Sequence, residues 1–278
     1  MKLNHTLLPM INYHKAKTLI WDPLDVDCTQ DQSDWAAMTG RERDLILRAG
    51  ALFHAGEEAV AHDLAPLLLS VRREGQHVED ELFLATQIFE EAKHFEFFDR
   101  WFDQVVGRPI NPADYLSDDY AALFFHALPA ALNRLLVDNS PIARVEACVV
   151  YHMIIEGVLA ETGYHGFDTA LKERNLLPGL TTGVEWVQRD EARHIAFGVY
   201  FLQRHVRADP SLWAVIENKM SELLPSAMQI VGAALAPYGD DIPFGLNIEE
   251  LIGYAGDQFV RRSDAIERAL SGQPLTPS

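Results

Sequence analysis

Two short stretches constrain this chain more than any other feature. FEEAKHFEFF (89–98) and RDEARHIAFG (189–198) each place a glutamate three residues before a histidine within an apolar helical pattern. Three residues is close to one helical turn, so Glu91 and His94 share a face, and so do Glu191 and His194. A carboxylate on a buried face needs a partner, because an unpaired buried charge is very costly. One such pair is commonplace on a solvated helix. Two of them, each embedded in apolar sequence, require a common explanation.

The surrounding pattern is helical throughout, with few alternating strand-like runs. Thr39 and Glu42 read as a capping box opening a helix to about residue 74. Further helices are expected over about 78–106, 118–137, 141–174, 183–206, 211–235 and 247–270. Pro129 should kink or split the third of these, and Pro225 should bend the sixth. Long helices with short links indicate an all-α bundle. No composition shift marks a boundary, so residues 1–278 are read as one domain with core helices at 39–74, 78–106, 141–174 and 183–206.

Bundles that hold two metal ions combine two E-x-x-H pairs with one glutamate from each of two other helices. Helix phase selects Glu57 over Glu58 in FHAGEEAVAHDL, since Phe53, Val60 and Leu64 lie on the Glu57 face. Burial selects Glu156 over Glu161 in VVYHMIIEGVLAETGY. The set Glu57, Glu91, His94, Glu156, Glu191 and His194 offers four carboxylates and two imidazoles. Such oxygen-rich ligation suits iron or manganese better than zinc. Asp190 could accept the outer N–H of a metal-bound histidine; its alternative is a pair with Arg189 or Arg193. The other histidines, among them His54, His62, His126, His152, His165 and His205, show no ligand spacing and read as polar-face or interior hydrogen-bonding residues.

Charge narrows the function. Lys and Arg number 23 against 41 Asp and Glu, a net −18. That disfavours nucleic-acid binding and docking on an anionic membrane. No apolar run reaches the roughly 18 residues of a membrane span, and the N-terminus does not read as a signal peptide. Cys28 and Cys148 make no disulfide framework, which fits free thiols in a reducing cytoplasm.

The chain resembles the ferritin-like superfamily and, within it, the small subunit of ribonucleotide reductase. WDPLDVDCTQDQSDW (21–35), GEEAV, EEAKH, MIIEG and RDEARH carry the likeness over about residues 20–210. It is more closely similar to the small-subunit-like ligand-binding oxidases, through AGEEAV, YHMIIEGVLAE, DEARHIAFG and ALPAALNRL. Three features depart from a reductase subunit. Phe98 stands where the radical tyrosine is usual, Glu57 replaces the common aspartate, and the tail ERALSGQPLTPS has no tyrosine to relay an electron. Trp21 keeps a reductase small subunit, storing an oxidising equivalent for a large subunit, as the alternative.

The oxidase resemblance implies a manganese/iron cofactor, with di-iron as a variant, that reduces dioxygen. It implies a bound long-chain fatty acid and a two-electron oxidation joining Tyr151 to the β-carbon of Val60. Val60 also shares the Glu57 face by its spacing, whereas spacing alone does not single out Tyr151. The resemblance further places Tyr164 and Phe98 at the ligand pocket and implies a cytoplasmic homodimer.

Overall fold

A computed structural model describes residues 2–75 and 77–272. The last six residues of the tail, whose lack of tyrosine bears on the reductase alternative, lie outside this range. The described residues form helices and no strands. In chain order these are α1 (Leu8–Thr18), α2 (Thr29–Ala37), α3 (Gly40–Asp63), α4 (Ala65–Glu74), α5 (Val78–Trp101), α6 (Asp118–Ala121) and α7 (Leu128–Arg134). They are followed by α8 (Pro141–Cys148), α9 (Glu161–Leu171), α10 (Pro178–Ala208), α11 (Leu212–Leu235) and α12 (Ile248–Glu267). The fold is a ferritin-like bundle. No described helix is long and apolar enough to cross a membrane.

The four core rods are α3, α5, the continuous α8–α9 rod, and α10. Capping starts α3 as expected: the Glu42 N–H donates to Thr39 Oγ1 at 3.3 Å, and the Thr39 N–H donates to Glu42 Oε2 at 2.7 Å. The expected single helix to residue 74 is broken at Leu64. Pro66 has no N–H to give and its ring crowds the preceding turn, so the chain restarts as α4. Gly75, at φ +72°, ends α4 in the left-handed region that suits glycine.

Two further corrections concern the other core helices. The last core helix begins at Pro178 rather than near 183. Asp31 of α2 explains the earlier start, because its carboxylate accepts from the Gly179 and Leu180 N–H groups at 2.7 and 2.8 Å. It satisfies helix donors that otherwise lack partners. Gly183 is therefore no helix boundary: a β-carbon there would lie 2.1 Å from the Phe97 ring, so glycine lets α10 close onto α5. Secondly, the rod expected over 141–174 is not uniformly α-helical. Residues 149–160 are wound as π-helix between α8 and α9.

The π winding changes which residues share a face. Five residues along an α-helix is a rotation to about 140° away from the starting face. In a π-helix, position i+5 is the hydrogen-bonded neighbour one turn on. Tyr151 and Glu156 therefore stack on one side of the rod, facing α5. α11 and α12 cover the rod from outside, and α1 lies across α5 and α10. Neither α1 nor α2 is evident from hydrophobic periodicity. The run from 118 to 137 divides at Leu128–Pro129 into a π-helical turn and α7, while α11 continues through Pro225.

This packing predicts opposite outcomes at two glycines. Gly183→Ala should lower stability by about 1–3 kcal/mol through overpacking against Phe97. Gly232→Ala, in α11 with nothing within 4 Å of its added β-carbon, should raise stability by about 0.5–1 kcal/mol. Urea denaturation of both variants checks the contrast, and equal effects would contradict the close α5–α10 contact.

Candidate metal centre

The bundle brings the six sequence-selected residues to one place. Ligand atoms of Glu57, Glu91, His94 and Glu191 lie within 4.8 Å of one another, as do those of Glu91, Glu156, Glu191 and His194. Glu91 and Glu191 belong to both groups, the arrangement expected of two adjacent cations with shared carboxylates. His94 Nδ1 lies 3.6 Å from Glu57, 3.7 Å from Glu91 and 3.3 Å from Glu191. His194 Nδ1 lies 3.0 Å from Glu91, 3.4 Å from Glu156 and 3.4 Å from Glu191. All six side chains are buried.

The inner atoms are the ones without hydrogen bonds. His94 Nδ1, His194 Nδ1, Glu156 Oε2 and Glu191 Oε2 are buried and make none of acceptable geometry. Buried polar atoms are ordinarily satisfied. A cluster of orphaned donor atoms converging on one point fits a pair of metal ions. Four carboxylates offset the charge of two divalent ions, so the donor set also suits them electrostatically.

The outer histidine nitrogens are satisfied, and the pattern is crossed. His94 Nε2–H on α5 donates to Asp190 on α10 at 3.4 Å. His194 Nε2–H on α10 donates to Glu90 on α5 at 2.9 Å. Arg193 joins the two carboxylates, donating to Asp190 at 2.6 Å and to Glu90. Asp190 also accepts from Lys93 Nζ at 2.7 Å and Trp21 Nε1 at 2.8 Å. Asp190 thus faces a histidine and also pairs with Arg193. Arg189 instead donates to the Leu19 carbonyl. Each outer carboxylate fixes its imidazole with the inner nitrogen aimed at the centre.

Glu90 and Lys93 are not selected by the sequence reading, and Arg193 enters it only as an alternative partner of Asp190, although a signal exists. Residues 90–94 (Glu-Glu-Ala-Lys-His) and 190–194 (Asp-Glu-Ala-Arg-His) are the same five-residue unit: acid, Glu, Ala, base, His. The first acid and the base of each unit build the outer layer, and the Glu and His face inward.

Tyr151 donates its phenolic hydrogen to Glu91 Oε1 at 2.6 Å. Val60 lines a cavity of about 160 Å³ whose inner end is formed by Glu57, Glu91, Glu156 and Glu191. The cavity runs between α3, α9 and α11, and among the described residues only Arg48, Tyr120 and Thr162 line it with polar side chains besides these carboxylates. Tyr120 Oη is satisfied by the Leu52 carbonyl at 2.6 Å. Lining residues on α3 extend from Glu57 back to Leu45, a length of about 18 Å at the helical rise. Tyr164 and Phe98 both stack on Phe53, which lines the cavity, with ring centroids 5.0 and 5.5 Å away.

Protonation shows how the cluster tolerates its charge without cations. Burial pushes Glu57 up to about 8, against the opposing pull of His94. Burial and the neighbouring Glu191 raise Glu156 well above its ordinary value. For Glu91, burial acts upward, but His194 and His94 outweigh it and hold the carboxyl well below the usual range. Burial lowers His94 and His194, yet the surrounding carboxylates win and both are raised well above 6.5. In the metal-free chain, protons thus stand in for the positive charge of metal ions.

The family model for the ribonucleotide reductase small chain matches residues 10–261. The chain belongs to this family. Among solved structures it is similar to an R2-like ligand-binding oxidase with an aerobically reconstituted Mn/Fe cofactor. That match has 36% identity and a TM-score of 0.90, and covers 94% of this chain and 93% of the other. A mutant R2-like ligand-binding oxidase with an Fe/Fe cofactor matches at 36% identity and a TM-score of 0.90, covering 94% of each chain. Another mutant with the Mn/Fe cofactor matches at 37% identity and 0.88, again covering 94% of each.

The protonation pattern gives a pH dependence with a definite sign. Glu57 is raised on folding, so its stabilising contribution is complete below 4.5 and lost as pH rises through about 8. His94 and His194 act in the same direction, complete below 6.5 and lost through their raised values. Metal-free protein should therefore lose thermal stability as pH rises from 4.5 through about 8. Glu57→Gln should flatten that decline, as should loading with divalent manganese and iron. Melting curves across this window check it, and a metal-free Tm that rises with pH would contradict the assignment.

Proposed function

We propose that the chain is an oxygen-activating dimetal oxidase acting on a long-chain acyl ligand. The observation that carries this reading is a buried carboxylate–histidine cluster that opens onto a long apolar cavity. Glu57, Glu91, His94 and Glu191 would hold one ion, and Glu91, Glu156, Glu191 and His194 the other. The similar ligand-binding oxidases support manganese with iron, or two irons. Such a pair supplies the reduction of dioxygen and, once oxidised, a positive anchor for a carboxylate.

The chain's own residues supply the rest. Val60, Phe53 and the aliphatic side chains of α3 and α11 exclude water from the ligand's tail, while its carboxylate faces the metal ligands. Thr162 donates to the Val158 carbonyl at 2.6 Å, which satisfies its hydroxyl within its own helix. Tyr151 stands ready for oxidation, with its hydroxyl hydrogen directed at Glu91. Joining its oxygen to Val60 Cβ removes one hydrogen from each side chain, two protons and two electrons in all. Reduction of dioxygen to water needs four electrons and four protons; a divalent metal pair held by the six residues would supply the other two electrons, and solvent the other two protons.

Phe98 weighs against the reductase alternative. It is fully buried, stacks on Phe53, packs at a tilt against Phe97, and offers no phenol to store a radical. The reading also takes the protein as a single-domain cytoplasmic homodimer, with Cys28 and Cys148 kept as buried thiols.

Peptide mass spectrometry tests the oxidation. Protein loaded with manganese and iron in air should yield a Val60 peptide joined to a Tyr151 peptide, lighter than their sum by two hydrogens. Anaerobically loaded protein and Tyr151→Phe should yield only separate peptides. Fully loaded wild type that gives only separate peptides in air would refute this chemistry.

A further inference from the structure

Beside Tyr151 lies a buried polar chain whose residues belong neither to the ligand set nor to the cavity lining. It consists of Gln87 on α5, His152 on the π-helical stretch, and Cys148 at the end of α8. None of the three is measurably exposed beyond 1%. Gln87 Nε2 lies 3.1 Å from Tyr151 Oη, 3.2 Å from Glu156 Oε1 and 3.3 Å from His152 Nε2. Gln87 Oε1 lies 3.4 Å from His152 Nε2. His152 Nδ1 lies 3.5 Å from Cys148 Sγ, which is also 3.6 Å from the Gly198 carbonyl.

A donor count fixes how the Gln87 amide and the His152 ring face each other. The amide nitrogen of Gln87 must face Tyr151 Oη, because the phenol gives its hydrogen to Glu91 and an amide oxygen there would oppose its lone pairs. Its two hydrogens then go to Tyr151 Oη and Glu156 Oε1, leaving none for His152. His152 must therefore carry its hydrogen on Nε2 and donate it to Gln87 Oε1. Its Nδ1 is left bare beside the Cys148 thiol, whose single hydrogen is shared between this nitrogen and the Gly198 carbonyl. Burial holds His152 down to about 3, which agrees with a neutral ring.

We infer that Gln87, oriented by His152 and Cys148, is the positioning residue of the Tyr151 phenol. Tyr151 Oη accepts from Gln87 and donates to Glu91, so both the oxygen and its hydrogen are directed. The polar chain also cannot turn over, since reversal of the Gln87 amide would break its bonds to Tyr151, Glu156 and His152 together. Gly198 completes the seating. A β-carbon there would lie 2.3 Å from His152 Cβ, so only glycine lets α10 close behind the imidazole. Oriented phenol should matter for rate, because small misplacement of a reacting atom is costly.

This inference rests on the Val60–Tyr151 reading for its chemical consequence but not for its geometry, and two measurements separate them. The first is ¹⁵N NMR of histidine-labelled, metal-free full-length wild type, with His152 assigned by its loss in His152→Phe. The Nε2–H tautomer is expected, and the Nδ1–H tautomer would overturn the inference. The second is Gln87→Met, which keeps length and removes both amide functions. The rate of ether formation per fully metallated chain should fall roughly tenfold or more. A purely structural role would lower Tm and metal content but leave the rate per loaded chain unchanged, and that result would overturn the inference. If wild type forms no ether, the oxidation reading fails by itself and the tautomer decides this one.

Discussion

Everything in this bundle answers to the cost of burying four carboxylates together. Isolated, each would shift its pKa and neutralise or drag water into the core. The chain solves the problem in three layers. Glu57, Glu91, Glu156 and Glu191 share the centre with two imidazoles, which balance them by protons or by metal ions. Asp190 and Glu90 hold the imidazoles from outside. Arg193 and Lys93 then balance those outer carboxylates. Removing one member of such a network leaves an unpaired buried charge, a more damaging change than the absence of the whole.

The crossed pairing explains how two helices act as one rigid frame. The outer acid of α5 serves the histidine of α10, and the outer acid of α10 serves the histidine of α5. Neither five-residue unit completes its own site. The α5–α10 crossing must therefore be close and of fixed register, which is why Gly183 and Phe97 meet as tightly as they do. The π-helical stretch adds the third side of the frame, because its winding puts Tyr151 and Glu156 on a common face toward Gln87. The carboxylates also border the apolar cavity, so the centre has both a polar, ordered surround and an apolar one.

Much of this was legible in the sequence where local periodicity and three-dimensional role coincide. The phase that separates Glu57 from Glu58 holds: Glu57 is buried in the cluster and Glu58 is exposed. The choice of Glu156 over Glu161 holds too, since Glu161 faces Arg262 instead. Residues whose role depends on a partner helix were harder to find. Glu90 and Lys93 look like ordinary surface charges until the helices cross, and Arg193 shows only a possible pairing with Asp190. Gln87 looks like a helix filler, and Tyr151 escapes any α-helical phase because its helix is wound differently. Helices α1 and α2 lack an apolar stripe of their own. Their buried Asn12 and Asp31 dock through hydrogen bonds to α10 rather than through periodic packing. The break at Leu64 is the simplest miss: Pro66 announced it.

The central claim is that the cluster is a two-metal centre, with Glu91 and Glu191 shared between the ions. The most direct measurement is anomalous X-ray scattering at the manganese and iron edges, on crystals of protein loaded in air. The account predicts two anomalous peaks a few ångströms apart (about 3.5–4 Å is usual for paired metals), one beside His94 and one beside His194. A single peak, or two peaks away from these six residues, would contradict it.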